Sequence, residues 1–148
     1  MTAEFYESWM ARLTESYAQH HVEAGNWSAD EAVARARAET VKLLPDGVNS
    51  ANHLLLTAQN ESGETVGLVW IGLVRPDQQG AWIYDIEVFE GFRGSGYGRA
   101  LLAAAEDAAR DAGARTLGLN VFGPNTTARA LYESSGYDTT SLQMRKQL

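Results

Sequence analysis

Gly91, Gly94, Gly96 and Gly98 fall within eight residues, with Arg93 and Arg99 among them. Without a Cβ, the backbone at such positions takes positive φ and lies close against a ligand. The free N–H groups of a glycine turn, and of the first turn of a helix that follows, converge on one point. Phosphate oxygens suit that point, and Arg93 and Arg99 add positive charge beside it. Spacing narrows the choice of phosphate. A Walker A loop needs Lys and a hydroxyl residue after the second glycine, where Tyr97 and Gly98 stand. The dinucleotide fingerprint is met by Gly94 and Gly96 but broken by Arg99 at its third place.

What remains is Arg-x-x-Gly-x-Gly, formed by Arg93, Gly96 and Gly98. A second constellation follows: Asn125-x-x-Ala128-x-x-Leu131-Tyr132-x-x-x-Gly136-Tyr137. Asn125, Ala128 and Tyr132 stand at i, i+3 and i+7 and share one helix face. Singly they read as a cap, a core alanine and a packed tyrosine; beside the glycine turn they read as a ligand surface. The two motifs, in this order and at this distance, resemble those of the GCN5-related N-acetyltransferase (GNAT) family. The resemblance covers about residues 50 to 148 well and the chain before them in outline.

The resemblance implies a domain that binds acetyl-CoA as co-substrate, with no metal. It implies a mixed, mostly antiparallel sheet that splays between strands 81–88 and 116–122, with the pantetheine arm entering the gap as an added strand. Backbone near Val88, Phe89 and Glu90 would pair with that arm. The diphosphate would sit on amides of Arg93, Gly94, Ser95, Gly96, Tyr97, Gly98 and Arg99. Asn120, Asn125 and Ala128 would hold the pantetheine side. Tyr132 is the position at which the family keeps its proton donor for the leaving thiolate. The family also begins with a strand ahead of its first helix, which is missing here. The edge so exposed is left short or covered by another chain, as in a homodimer.

The reaction implied is acetyl transfer to a primary amine on a small molecule or a protein. An alkyl ammonium has a pKa of about 10 and must lose a proton before attack. Asp85 and Glu87 share a strand face and are the candidate bases. Both also read as solvated or ion-paired strand carboxylates. An amide near Val88 would stabilise the oxyanion. No cysteine is present, so a thioacyl-enzyme is excluded and direct transfer in a ternary complex is favoured. Two other classes stay open: an acyl-CoA-binding or sensor module without catalysis, and a purely structural interaction domain.

Composition bounds these readings. The chain has 148 residues, 45% hydrophobic and 21% charged, which suits one globular domain over 1–148. Net charge of −7 argues against nucleic-acid binding. No apolar run approaches the roughly 20 residues of a membrane helix, and no signal pattern opens the chain, so the cytoplasm is expected. Three histidines and no cysteine make a zinc site improbable.

The elements that must position the motifs follow from periodicity. Residues 2–24 read as a helix with Phe5, Trp9, Met10, Leu13 and Tyr17 as its apolar stripe. Ser28 to Glu31 forms a capping box with Trp27 as staple, opening a helix to about Leu44 before Pro45. Strands are expected at Leu54–Ala58, Thr65–Leu73 and Ala81–Val88, joined by turns at Asn60–Gly63 and Pro76–Gly80, as an antiparallel meander. Helix 98–112 crosses over to a parallel strand at Thr116–Phe122. A short helix from Asn125 to Ser135 and a closing strand from Tyr137 to Gln147 complete an α+β order of ααβββαβαβ.

Overall fold

The fold is given by a computed structural model, which describes residues 1–73 and 80–148. Helix α1 spans Ala3–Glu23 and starts where Thr2 accepts a hydrogen bond from the Phe5 amide at 3.2 Å. Its buried face is Tyr6, Trp9, Met10, Thr14 and Ala18. That face is turned by about one residue from the expected stripe; Phe5 and Leu13 lie at its margin and Tyr17 is exposed. Thr14 fits the interior because its hydroxyl donates back to the Met10 carbonyl at 2.8 Å.

Helix α2 spans Ala29–Leu43 and packs its small residues Ala32 and Ala36 against Ala18 of α1. Ser28 is at the N-cap position but its side chain makes no capping bond, so the expected capping box does not form. Trp27 does act as a staple. It packs on the alanine cluster, stacks on His21 with centroids 3.9 Å apart, and has the Arg35 guanidinium 4.8 Å from its ring.

The sheet has the order β1 (His53–Gln59), β2 (Thr65–Leu73), β3 (Gly80–Val88), β4 (Thr116–Leu119). The first three strands form the expected antiparallel meander, and β4 lies parallel to β3 across helix α3 (Tyr97–Asp111). Strand β2 is buried on both faces. Leu68 and Trp70 meet α1 through Trp9 and Met10, while Val69 and Ile71 meet Leu101, Leu102 and Ala105 of α3. It therefore reads as a continuous apolar run rather than an alternating one. The turn expected between β2 and β3 lies outside the described residues, except for Gly80, which opens β3.

Two irregularities shape the centre. The register between β2 and β3 shifts from Trp70↔Asp85 to Ile71↔Ile83, which leaves Tyr84 as the extra residue of a bulge. Tyr84 and Asp85 both reach the α1 face, where Tyr84 stacks on Trp70 and Asp85 bonds Trp9. Second, β4 pairs with β3 only from Gly80↔Thr116 to Ile83↔Leu119. Among the described residues, no strand pairs with Tyr84 to Val88 of β3 on that side, which is the splay expected of the fold.

The C-terminal part corrects one expectation. After helix α4 (Thr126–Ser134), residues 137–147 form no strand. Strand β4 stops at Leu119, three residues short of the expected Phe122, and gives little edge to pair with. The alternating Leu142 and Met144 face no layer and are exposed, while Arg145 reaches across to the Ala24 carbonyl at 3.4 Å. The observed order is ααβββαβα. No strand precedes α1, and the Met1 ammonium donates to the Leu55 carbonyl of β1 at 3.0 Å.

Candidate active site

The glycine turn joins the end of β3 to α3 through a single 3-10 turn, Glu90–Phe92. Gly94 (φ 76°) and Gly96 (φ 83°) are left-handed, and Gly96 is the N-cap of α3. A Cβ built on Gly91, Gly94 or Gly96 would meet nothing within 4 Å, so the turn is open rather than filled by its neighbours. Among the described residues, the amides of Gly94, Ser95, Gly96, Tyr97, Gly98 and Arg99 have no acceptor within the chain. Six free donors around an open left-handed turn are what an oxyanion needs. Gly98 serves a different end: its missing side chain lets Leu131 of α4 approach to 3.3 Å of where a Cβ would be.

The two arginines are engaged elsewhere. Arg93 Nε donates to the Val88 carbonyl at 3.0 Å, and its guanidinium lies 3.8 Å from Glu87. Arg99 donates to Ser134 at 2.8 Å and Ser135 at 3.2 Å, tying α3 to the end of α4. Of the residues expected along the free edge of β3, Val88 is half-buried against the α3 core, and Glu90 is exposed. Phe89 turns to α1, stacking with Phe5 at 6.1 Å, and its amide is taken by the Val66 carbonyl at 2.9 Å.

On α4, Asn125 caps the helix by accepting from the Ala128 amide at 3.1 Å. Its side-chain oxygen is thereby used, and its NH2 remains. Tyr132 packs on the α3 core and lies 5.8 Å from Tyr137, ring to ring. It opens on a cleft of about 1120 Å³ shared with Trp82, Asn120 and Phe122. Burial pushes the Tyr132 phenol up, and the negative charge of Asp85 adds to the shift. The phenol thus keeps its proton at neutral pH.

The carboxylates separate clearly. Asp85 is largely withdrawn from solvent and accepts from the Trp9 indole N–H at 2.8 Å. Burial raises its pKa; the bonds from Trp9 and the Ile86 amide, and the charge of Arg12, pull the other way without cancelling it. Glu87, on the same face, is more exposed and is held by Arg93. Trp9 is the residue that sequence reasoning left among the core aromatics. Its partner is 76 positions away, and no local signal links them. Among the described residues, no cluster of His, Asp or Glu is arranged to hold a metal ion.

Comparison with known proteins follows the same lines. Residues 3–137 match the family described as Acetyltransferase (GNAT) family. The chain is 38% identical over its whole length to the uncharacterized N-acetyltransferase YycN of Bacillus subtilis, covering 96% of that protein. It is 34% identical to the uncharacterized N-acetyltransferase YdgE of the same organism, again over the whole chain and 95% of the relative. The crystal structure of YycN superposes with a TM-score of 0.90, covering all of this chain and 95% of that one.

Proposed function

The chain belongs to the GNAT acetyltransferase family, and from that premise we propose that it moves an acetyl group from acetyl-CoA to a primary amine, directly, in a ternary complex. The single observation that carries the reading is the set of six unpaired amides at 94–99, placed beside the stretch of β3 that β4 leaves open. A diphosphate on those amides aims the pantetheine arm along Tyr84–Val88, where it adds as a strand. The thioester then arrives between Asp85 and Tyr132. In this reading residues 1–148 act as one N-acetyltransferase domain in the cytoplasm.

Each side chain has a role. Asp85 takes the proton of the incoming ammonium, directly or through a water, and the Trp9 bond fixes the carboxylate for it. Burial raises its pKa toward the range useful to a base, which favours it over the Arg93-bound Glu87. The neutral amine attacks the thioester carbon, and a backbone amide near Val88 stabilises the oxyanion. As the C–S bond breaks, Tyr132 gives its proton to the departing thiolate; the proton the nitrogen sheds on becoming an amide restores the phenol, and Asp85 releases its own proton to water. Arg93 exchanges the Val88 carbonyl for the diphosphate, freeing that carbonyl for the arm. Asn120 and the NH2 of Asn125 face the arm from the α4 side.

The test is thiol release from acetyl-CoA across a panel of primary amines, with calorimetry of coenzyme A alone. Amine-dependent release and a measurable heat support the reading. No heat with coenzyme A would overturn it.

A further inference from the structure

Two aromatic side chains of β3 are exposed, yet their rings are bedded with care. Trp82 is 39% and Tyr84 44% exposed. A Cβ on Gly118 of β4 would stand 2.7 Å from Cε3 and Cζ3 of Trp82, and one on Gly72 of β2 would stand 2.5 Å from Cε2 of Tyr84. Any larger residue at either glycine would push the ring off the sheet. Tyr84 also stacks on Trp70, with centroids 4.6 Å apart and planes at 23°. Trp70 is fixed in turn by its indole N–H, which donates to His53 Nδ1 at 3.0 Å. The rings are thus held from below and from the side while an outer surface faces solvent. They lean in opposite directions, Tyr84 over β2 and Trp82 over β4.

The surroundings connect this surface to the chemistry. Trp82 lines the cleft onto which Tyr132 opens. The bulge sets Tyr84 immediately beside Asp85 on one face. His53, whose ring lies 6.0 Å from Tyr84, accepts at Nδ1 and is pushed down in pKa by burial, so it brings no positive charge at neutral pH. The surface is therefore aromatic and without positive charge, with a carboxylate at one end.

We propose that this platform is the acceptor subsite and that it selects a primary amine carried on an aromatic body, with the aryl group against Trp82 and Tyr84 and the ammonium at Asp85. The proposal rests on the acetyl-transfer reading above. A linear polyamine fits less well. Rings that lean apart do not cage a cation.

The experiment compares 2-phenylethylamine and tryptamine with 1,4-diaminobutane in the thiol-release assay, in the unmodified protein and in Trp82→Ala and Tyr84→Leu. The aryl amines should be preferred by about tenfold or more in kcat/KM, and each variant should raise their KM about tenfold. In Trp82→Ala the KM for acetyl-CoA and the kcat/KM for the diamine should stay within about twofold. Preference for the diamine, or equal loss on both amines, overturns the proposal. Calorimetric titration of 2-phenylethylamine decides it without turnover: binding weakened in Trp82→Ala supports the platform, and binding unchanged in that variant, or absent from the unmodified protein, sinks it. Failure of coenzyme A to bind while the aryl amine still does so removes the transfer reading and leaves the platform standing.

Discussion

The two regions that the proposed reaction needs are built from different materials. On the side of the glycine turn, what is offered to a ligand is backbone: six amides within one stretch of chain, left free by the left-handed glycine turn and by the first turn of α3. On the side of α1, what is offered is side chain. Asp85, Trp9, Trp70, Tyr84 and His53 hold one another across contacts up to 76 positions apart in the chain. Backbone recognition tolerates change in the neighbours so long as φ is permitted. A side-chain assembly depends on each partner in turn, and it is the part that can differ from one relative to another.

In the proposed reaction Asp85 takes a proton from the amine and Tyr132 gives one to the thiolate, so replacing each separates their contributions. The largest expected effect is for Tyr132→Phe. It should lower kcat by about 10²–10⁴-fold while coenzyme A affinity changes little, because the phenol acts on the leaving group and not on the diphosphate. Unchanged turnover, measured in steady state beside calorimetry of coenzyme A, would remove Tyr132 from the chemistry.

Asp85→Asn should cost about 10²-fold, with Glu87→Gln as the control that loses far less. The pH dependence is specific. Burial raises the Asp85 pKa, so kcat/KM should fall on the acid side at a pH above the ordinary carboxylate value of 3.8. Stability runs the opposite way to activity. A raised carboxyl pKa means the folded state is favoured by protonation, so that contribution is full below about 3.8 and is lost as pH rises through the folded value. Asp85→Asn removes the cost of the buried charge, and its carboxamide oxygen can still accept from Trp9. Its Tm should exceed that of the parent at pH 7, and the gap should close below pH 3.8. A lower Tm at pH 7 would mean that the carboxylate is there for structure.

The same contrast explains what could be read from the sequence. The glycine turn, the Asn125–Tyr137 motif and the β1–β3 meander are written in local spacing, and the structure places them at nearly the expected boundaries. The pairing of Trp9 with Asp85 has no local trace, and neither does the bulge at Tyr84, since alternation along β3 continues on paper through the extra residue. The last strand failed for a related reason. Leu142 and Met144 alternate as a strand should, but a strand needs a neighbour, and β4 ends at Leu119. Arg93 and Arg99 sit where charge is wanted, yet their side chains find nearer partners in Val88, Glu87 and the serines of α4.

Gly96→Ala probes the backbone side with a smaller effect. At φ 83° an alanine costs roughly 1–2 kcal/mol. No clash adds to that, since nothing lies within 4 Å of the new methyl group. If the proposed diphosphate uses that open space, the methyl group intrudes on it and the KM for acetyl-CoA should rise about tenfold, worth about 1.4 kcal/mol, with kcat nearly kept. A stability loss with no change in KM would show that the turn is left-handed for reasons of folding alone.

Far from the cleft, Ser28→Ala carries the comparison to a site where sequence and structure disagree outright. A serine that caps a helix is worth about 1 kcal/mol. The spacing of Ser28 and Glu31 promises that bond, yet Ser28 makes none, and the start of α2 is set by Trp27 packed on Ala18, Ala32 and Ala36. Asp30 and Glu31 in the first turn still favour the positive end of the helix dipole without a cap. Urea melts of Ser28→Ala should therefore match the parent within about 0.3 kcal/mol, where a formed box would lose about 1 kcal/mol. A loss of that full size would show that the capping bond forms in solution, and that the aromatic staple alone does not set the start of α2.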